Sequence, residues 1–168
     1  MIDRKPDGNI ILIGMPGTGK TTVGKLLSEF SGYNFIDTDS LINCNTGKTP
    51  RQIVEEKGRE YFMSVQDEAV LNINACNCVI ATGGGLVHSE TAMNFLKGIG
   101  KVIYLQTGYQ IIKDRMDASR KLLRTGGTLL ELYNERTPLY NKYADMVIEC
   151  DNKNPQMICN EITEILKN

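Results

Sequence analysis

The chain of 168 residues contains no tryptophan and a single histidine, His88. Its formal net charge is only −1, so no excess of positive charge indicates a nucleic acid or an anionic membrane as partner. No apolar run approaches the roughly 20 residues of a membrane span, and the polar residues 1–8 predict the absence of a signal peptide. We therefore expect a cytoplasmic protein without a nucleic-acid or membrane partner. No pattern indicates a protein partner, and we expect a monomer.

The five cysteines show no metal-binding or disulfide pattern. They stand at positions 44, 76, 78, 150 and 159 without a C-x-x-C pair, and this irregular odd set favours free thiols in a reducing compartment. Cys76 and Cys78 are too close together for an ordinary zinc pair, and His88 has no partner at the spacing of zinc ligands. We expect His88 to lie in a loop beside the glycines at 83–85, without a role as general base.

Short apolar runs alternate with stretches of helical periodicity along the chain. The predicted strands are Ile10–Ile13, Asn34–Ile36, Val79–Ala81, Val102–Leu105 and Met146–Ile148. The predicted helical stretches are residues 20–31, 40–76, 89–97, 108–117, 128–143 and 155–167. This alternation predicts a single α/β domain over residues 1–168, with a five-stranded parallel sheet between helices on both faces.

Two stretches interrupt the alternation. Residues 40–76 are too long for one crossover helix and contain Thr-Gly-Lys-Thr-Pro at 46–50 and Lys-Gly at 57–58, which break helices. We expect two or three short helices here, forming a substrate-binding lobe over residues 38–76. Residues 118–127 are basic and end in Gly-Gly, which is typical of a mobile lid (here about residues 118–128) but also of an ordinary exposed loop.

The most specific motif is at residues 14–21, which read Gly-Met-Pro-Gly-Thr-Gly-Lys-Thr, a complete G-x-x-x-x-G-K-[ST] phosphate loop between a strand and a helix. The glycines let backbone N–H groups turn towards phosphates, in front of the positive end of the helix. Lys20 is expected to reach the β- and γ-phosphates, and the Thr21 hydroxyl to hold Mg²⁺. We predict that a nucleoside triphosphate binds to Gly14, Met15, Pro16, Gly17, Thr18, Gly19, Lys20, Thr21 and Thr22.

Two carboxylates follow the second predicted strand, in Asp37-Thr-Asp39. They stand just beyond the carboxyl end of a parallel strand, where open α/β sheets bind ligands. Asp37 could complete the Mg²⁺ shell through a water molecule, since the third strand carries no Walker B acid. Asp39 could take a proton or a hydrogen bond from a substrate hydroxyl, or it could simply cap a helix over Ser40–Cys44. The pattern by itself leaves both roles of Asp39 open.

Three consecutive glycines, Gly83, Gly84 and Gly85, follow the third strand. Because such a run is unfavourable in chain entropy, we expect a ligand or a segment of backbone to pass close to it. Farther along the chain, Arg136 lies in the helical stretch 134–140. An arginine there could pair bidentately with a carboxylate or a phosphate of a substrate.

Taken together, these residues resemble the shikimate kinases, small P-loop relatives of the nucleoside monophosphate kinases. After the phosphate loop, the marks of the resemblance are Asp37-Thr-Asp39, Ala81-Thr-Gly-Gly-Gly85 and Glu135-Arg-Thr-Pro-Leu-Tyr140, in that order. The resemblance covers nearly the whole chain and implies a three-layer α/β/α P-loop kinase fold. It also implies an enzyme that uses ATP and Mg²⁺ to phosphorylate shikimate in aromatic amino acid biosynthesis.

The resemblance assigns roles to individual residues. Lys20, Asp39 and Arg120 would be catalytic, with Asp39 on the side of the reacting hydroxyl and Arg120 closing over the phosphates from a stretch similar to the family's Arg-Pro-Leu-Leu. Arg115 would lie against the adenine, with Asn154-Pro155 on its other face. The shikimate pocket would be built from Asp39, Gly83, Gly84, Gly85, Met63 and Arg136.

The helical lobe departs from the family's pattern. The family usually has Gly-Glu-x-x-Phe-Arg followed by a glutamate, whereas this chain has Gly58-Arg-Glu-Tyr-Phe-Met63 and then Gln66. Met63 thus replaces an arginine that would help to clamp the shikimate carboxylate, and Gln66 replaces its partner. Either Arg59, four residues earlier on the same helix face, supplies the missing cation, or the substrate is another small hydroxylated metabolite, such as a hydroxy-amino acid or a sugar acid.

Two other classes of nucleotide-binding protein share the phosphate loop. A GTP-driven switch needs Asn-Lys-x-Asp after a strand, whereas Asn141-Lys-Tyr-Ala-Asp145 has one residue too many and precedes the last strand. A nucleoside monophosphate kinase fits the fold and the lid, but Asp37-Thr-Asp39 with three glycines suits a polyhydroxylated substrate better than a nucleobase. Both classes are kept as alternatives.

Overall fold

The computed structural model describes residues 8–116 and 127–167. In these two ranges the chain forms one sheet of five parallel strands, in the order β2-β3-β1-β4-β5. The strands are β1 (Asn9–Ile13), β2 (Asn34–Asp37), β3 (Cys78–Ala81), β4 (Gly100–Gln106) and β5 (Met146–Glu149). All five predicted strands are confirmed. Each is slightly longer than its apolar run, because residues at the strand ends continue the ladder of hydrogen bonds.

Eight α-helices cover the sheet within the described residues: α1 (Lys20–Ser31), α2 (Thr38–Thr46), α3 (Pro50–Lys57), α4 (Arg59–Leu71), α5 (Glu90–Ile99), α6 (Tyr109–Arg115), α7 (Leu129–Tyr143) and α8 (Pro155–Lys167). A short 3-10 helix spans Leu86–His88. None of the helices in these ranges has the length and apolar character needed to span a bilayer. The predicted helical stretches are confirmed, except that residues 72–76 are not helical and that residue 117 lies outside the described residues.

The long stretch after β2 divides into three helices, α2 to α4, as its breaks predict. Helix α3 begins at Pro50 with a capping box between Thr49 and Gln52, and Gly58 separates it from α4. The three helices share a small buried core of Ile42, Ile53, Phe62 and Ala69. Because they pack on one another in this way, α4 can present its remaining face to the space beside the sheet.

The two faces of the sheet carry different helices. Ile11 and Ile13 of β1 belong to a core that includes residues of α5 and α7. Ile10 and Leu12, which alternate with them, belong to a core that includes residues of α1 and α8. This alternation along β1 is the period of two expected of a strand that is buried on both faces, and it produces the three-layer α/β/α arrangement.

The edge strand β5 is less buried than its apolar sequence predicts. Every residue of β1 and β3 is buried, whereas Val147 of β5 is exposed. In the described sheet β5 pairs with β4 on one side only. Apolar composition alone therefore does not distinguish a central strand from an edge strand.

The strand order places the predicted site at one edge of the sheet. The central strand β1 pairs with β3 on one side and with β4 on the other. Where parallel strands diverge to opposite sides, a crevice opens at their carboxyl ends. The phosphate loop, Asp37 and the three glycines follow β1, β2 and β3 respectively, so all of them lie at this edge.

Candidate active site

A cavity of about 520 Å³ opens at the carboxyl edge of the sheet. It brings together most of the predicted site residues: Pro16, Gly17, Gly19, Lys20, Thr21, Thr22, Asp37, Asp39, Arg59, Met63, Gly83, Gly84, Gly85, Arg115 and Arg136. Gly14, Met15, Thr18 and Pro155 do not line it. Arg120 and residues 118–126 of the predicted lid lie outside the described residues.

The phosphate loop folds around the lysine side chain. Lys20 Nζ donates hydrogen bonds to the carbonyl oxygens of Gly14, at 2.7 Å, and Met15, at 2.8 Å. Gly17 and Gly19 have φ values of 86° and 91°, which glycine adopts without strain. Helix α1 begins directly after Gly19, and no described side chain caps it. Its first N–H groups are therefore available to an anion.

Three residues of the motif contribute to packing rather than to the cavity surface. A Cβ atom at Gly14 would lie 2.8 Å from the carbonyl oxygen of Leu105, so only glycine fits against β4. Met15 is buried, with its Sδ 3.9 Å from the hydroxyl of Tyr140. The backbone N–H of Thr18 donates to the carbonyl oxygen of Met15. Contact of these residues with phosphate remains a prediction.

Asp37 links the phosphate loop to the start of α2. The Thr21 hydroxyl donates to Asp37 Oδ2 at 2.9 Å, and Asp37 Oδ1 accepts from the backbone N–H groups of Asp39 and Ser40. Asp37 is therefore the N-cap of α2, which begins at Thr38. The interpretation of Asp39 as the cap of a helix beginning at Ser40 is wrong, because the helix starts two residues earlier and Asp39 lies within its first turn.

Asp39 projects into the cavity in a partly desolvated position. Burial, together with the nearby charge of Asp37, raises the pKa of Asp39, while the charge of Lys20 opposes the rise. The preceding Thr38 is fully buried, and its hydroxyl oxygen accepts a hydrogen bond from the N–H of Gly83 at 2.9 Å. The middle residue of Asp37-Thr-Asp39 thus ties the start of α2 to the glycine segment and holds Asp39 opposite it.

The three glycines provide space for the protein's own side chains. A Cβ at Gly83 would lie 2.6 Å from Asp39 Oδ1, and one at Gly84 would lie 2.7 Å from Pro16 Cδ and 3.1 Å from Arg136 Nη1. None of the three has a positive φ, so space and not backbone conformation requires glycine. We expected a ligand or a backbone segment to pass close. The close groups that the structure shows are side chains.

We predict that Gly84→Ala lowers the free energy of unfolding by about 1–3 kcal/mol, because the added methyl group overlaps the Pro16 ring. The matched control is Gly98→Ala in α5, where a Cβ would meet nothing within 4 Å. That substitution should raise the free energy of unfolding by about 0.5–1 kcal/mol, since alanine is the better helix former. Urea denaturation measures both, and equal shifts would contradict the steric role of Gly84.

Arg136 is a buried cation whose described partners are neutral. It lies on α7 with only 5% of its surface exposed. Its Nε–H donates to His88 Nε2 at 3.4 Å, and it hydrogen-bonds the hydroxyl of Tyr140. No carboxylate in the described ranges forms an ion pair with it. Burial lowers the pKa of Arg136, and the charge of Arg59 lowers it further, whereas Tyr140 and the charge of Glu135 oppose the shift.

Arg59 and Met63 lie on one continuous helix, α4, and both line the cavity. The expected common face is therefore confirmed. Gln66, one turn farther on, also lines the cavity and is buried. Arg59 is partly exposed, and its charge acts on Arg136 across the cavity. Two guanidinium groups thus converge on one space from two different helices.

Several lining residues were missed by sequence reasoning. Phe62, Thr82, Met116 and Leu132 also face the cavity. Leu132 stands four residues before Arg136, a helical spacing that could have revealed it. His88, predicted to lie in a loop, ends the 3-10 helix and contacts Arg136. Arg115 lines the cavity, and its Nη1 donates to the carbonyl oxygen of Gly17 at 3.3 Å, while its contact with the adenine stays a prediction.

The comparisons with known proteins agree on one family. The model of the family described as shikimate kinase matches residues 16–167. The shikimate kinase of Moorella thermoacetica is 39% identical over 165 residues, 95% of each chain. That of Nitrosospira multiformis is 39% identical over 170 residues, 98% of this chain and 87% of its own.

Solved structures show the same likeness. The shikimate kinase of Acinetobacter baumannii in complex with shikimate has a TM-score of 0.88 and 32% identity, over 95% of this chain and 92% of its own. A gluconokinase from Sinorhizobium meliloti, with a TM-score of 0.63 and 19% identity over 97% of this chain and 93% of its own, shares the fold alone.

Proposed function

The chain belongs to the shikimate kinase family, and from that premise we propose that it transfers the γ-phosphate of ATP to the 3-hydroxyl of shikimate. The products are ADP and shikimate 3-phosphate. The family match does not support a GTP-driven switch or a nucleoside monophosphate kinase. The proposed reaction requires a triphosphate site, an anion site for the acceptor, and a base between them.

The observation that carries the proposal is the position of Arg136. A buried cation is normally paired with an anion, yet the described hydrogen-bond partners of Arg136 are an imidazole and a phenol. Its guanidinium borders the same cavity as Asp39 and the phosphate loop. An acceptor with a carboxylate supplies the missing anion, and a hydroxyl on the same molecule then lies between Asp39 and the nucleotide. Shikimate has both groups.

Asp39 is proposed to take the proton of the attacking hydroxyl. A general base works best when its pKa lies nearer to the working pH, and burial with Asp37 moves the pKa of Asp39 in that direction. Lys20 is proposed to turn from the carbonyl oxygens of Gly14 and Met15 to the transferred phosphate and to neutralise its charge. Positioning and charge neutralisation supply most of the catalysis in phosphoryl transfer.

The residues around Thr21 fit a magnesium ion. Thr21 Oγ1 and Asp37 Oδ2 are oxygen atoms 2.9 Å apart at the mouth of the phosphate loop, and Mg²⁺ prefers oxygen ligands together with substrate phosphates and water. We propose that Thr21 holds the ion and that Asp37 holds it through a water molecule. When bound, Mg²⁺ would neutralise charge on the phosphates. Asp37 also caps α2, so it sets the direction in which Asp39 points.

The nucleotide is proposed to lie between the phosphate loop and Arg115. Arg115 borders the cavity beside Gly17, which fits its predicted contact with the adenine. Pro155 begins α8 outside the cavity lining, so its contact with the adenine rests on the resemblance alone. The role of Arg120 over the phosphates rests on the resemblance as well.

The helical lobe, residues 38–76, is proposed to hold the acceptor. Met63 and Gln66 of α4 provide no charge at the positions where the family has an arginine and a glutamate. Arg59 lines the cavity from the same helix, near enough for its charge to lower the pKa of Arg136. We propose that Arg59 and Arg136 share the carboxylate of the acceptor, because two like charges that face one space are stabilised by a common anion.

We predict that Arg59→Ala raises the KM for shikimate about tenfold with little change in kcat, because it removes one charge-assisted contact worth about 1.5–3 kcal/mol at a partly exposed site. Steady-state kinetics with saturating ATP measures the effect. Arg51→Ala is the matched control, since Arg51 is an exposed arginine of α3 paired with Glu55. A KM that equals the wild-type value in both variants would contradict the contact with Arg59.

A second candidate is a kinase of the same fold that phosphorylates another small hydroxy acid. The replacement of an ion pair by Met63 and Gln66 favours it, because both side chains line the cavity and a changed pocket changes the preferred acceptor. Arg136 would still require a carboxylate on that acceptor.

The deciding experiment is ADP release by the purified protein with MgATP and shikimate, beside a blank without acceptor and a panel of hydroxy-amino acids and sugar acids. Turnover with shikimate at a KM of about 1 μM to 1 mM, the usual range for enzymes, is the expected result. Turnover only with another acceptor would replace shikimate by that acceptor. No turnover with any acid would overturn both candidates.

A further inference from the structure

His88 and Arg136 meet through one nitrogen atom of the imidazole. Arg136 Nε–H donates to His88 Nε2 at 3.4 Å, so Nε2 carries a lone pair, and the proton of the neutral ring is on Nδ1. The same Nε2 is 3.4 Å from Glu135 Oε1. It can accept from Arg136 only when it is unprotonated, and it can donate to Glu135 only when it is protonated. The two contacts therefore exclude each other.

The position of His88 makes this contact important for Arg136. The histidine ends the 3-10 helix that follows Gly85, and its side chain is 15% exposed. Arg136 Nη1 and Nη2 lie against Gly84 and Gly85, which leaves Nε to be held by a group outside the glycine segment. The Tyr140 hydroxyl, which donates to the carbonyl oxygen of Gly84 at 2.7 Å, supports the guanidinium at its other end.

We propose that His88 is a positioning residue for the acceptor site: its unprotonated Nε2 holds the Arg136 guanidinium in the orientation that binds the carboxylate of the substrate. This inference rests on the proposed role of Arg136 in acceptor binding. When the imidazole is protonated, Nε2 becomes a donor and its N–H bonds to Glu135. Arg136 Nε–H then has no acceptor on His88. The affinity for an anionic acceptor then falls as the pH decreases through the titration of the imidazole.

The charges around His88 are consistent with this exchange. Glu135 and Arg136 face it from α7. On α5, the other helix that adjoins the 3-10 helix, the charged residues are Glu90, which is exposed, and Lys97, which is bonded to Asp145 and to the carbonyl oxygen of Tyr143. Across the cavity, the charge of Arg59 acts on Arg136. Among the residues that the structure describes, Glu135 is thus the carboxylate that lies against the imidazole.

The first test observes the tautomer directly. His88 is the only histidine of the chain, so a long-range ¹H–¹⁵N spectrum of the protein, freed of any affinity tag, shows one imidazole. Above about pH 7.5, where imidazoles are mostly neutral, the expected pattern is a protonated Nδ1 and an unprotonated Nε2. A protonated Nε2 in neutral His88 would overturn the proposal. This readout needs no substrate, so it stands apart from the identity of the acceptor.

The second test compares His88→Ala with His88→Gln, whose side-chain oxygen can replace Nε2 as acceptor but does not titrate. We expect the KM for the acceptor to rise about five- to twentyfold in H88A, with the KM for ATP within about twofold of wild type. H88Q should stay within about threefold and lose the rise in KM that the wild type shows between about pH 8 and pH 6. Thr91→Ala, an exposed change on α5, controls for general effects.

The outcomes separate the inference from the proposed function. A wild type that turns over no shikimate would refute the proposed acceptor, and the variants are then compared on the hydroxy acid that the wild type does accept. Equal KM values for wild type and H88A would overturn the role of His88, as would an H88Q variant that is as weak as H88A. If H88A does not fold, the flat pH profile of H88Q and the tautomer remain as tests.

Discussion

Asp39→Asn is expected to lower kcat by about 10²- to 10⁴-fold, the usual contribution of a general base. Asparagine has nearly the same shape, so the close contact with Gly83 and the capping of α2 by Asp37 are both kept. Only the capacity to take a proton is lost. Initial rates with saturating MgATP and shikimate measure the effect, and the KM for ATP should stay within about twofold because the phosphate loop is untouched.

The same substitution should stabilise the fold at a pH above the folded pKa of Asp39. Burial and Asp37 raise the pKa of Asp39 above its ordinary value of 3.8, so its ionised form is disfavoured in the folded state. The stabilising contribution of Asp39 is complete below its unfolded pKa and is lost as the pH rises through the raised folded pKa. Above the raised folded pKa the wild type lacks this contribution, and there the free energy of unfolding of D39N should be higher than that of the wild type.

The fall in kcat and the rise in the free energy of unfolding that we expect of D39N distinguish a catalytic role of Asp39 from damage to the fold. In the wild type, kcat should fall on the acid side with a midpoint above 3.8, and D39N should lack that fall, whereas the effect of His88 is on the KM for the acceptor. Ser40→Ala is the matched control, because Ser40 is exposed and bonds Asp37 only through its backbone N–H. A D39N variant with more than about a tenth of the wild-type kcat would show that Asp39 is not the base.

Arg136→Met is expected to lower kcat/KM for shikimate by about 10²- to 10³-fold. The substitution removes a bidentate, charge-assisted pair with the carboxylate, for which about 3–4 kcal/mol is a reasonable total. The KM for ATP should change little, since Lys20 and Thr21, which are predicted to contact the phosphates, are unchanged. Steady-state kinetics with varied shikimate, and calorimetric titration of shikimate in the absence of ATP, measure the loss.

The R136M variant should lose activity without losing stability. Burial disfavours the charged form of Arg136, as the lowered pKa shows, and replacing a buried charge by an apolar side chain of similar length is often neutral or stabilising. Arg51→Met on the surface of α3 is the matched control, because its pair with Glu55 is exposed and contributes at most about 1 kcal/mol. A loss of activity no greater in R136M than in R51M would refute the carboxylate contact.

The nucleotide half of the site is predictable from the sequence because its chemistry is local. A phosphate loop is formed by consecutive residues whose backbone N–H groups make the contacts, so the order Gly-x-x-x-x-Gly-Lys-Thr at 14–21 predicts both the strand–loop–helix structure and the ligand. The parallel sheet is equally visible, because each strand needs an apolar run and each crossover needs a helix.

The acceptor half depends on contacts between distant segments. The pattern Asp37-Thr-Asp39 leaves open whether Asp39 caps a helix, and only the start of α2 at Thr38 shows that Asp37 is the cap. The three glycines carry no indication that they make room for Asp39, Pro16 and Arg136, which come from three other parts of the chain. Such roles follow from packing in three dimensions, which a periodic pattern does not encode.

What the sequence by itself determined is therefore the fold, the binding of a triphosphate and the resemblance to the family, since all of these rest on short-range patterns in a fixed order. What only the tertiary structure decided is the environment of the cations. It shows that Arg136 is buried with neutral described partners, that Arg59 faces it, and that His88 and Glu135 meet at one nitrogen atom. The physical reason is that burial and electrostatic interaction depend on distances between residues far apart in the chain.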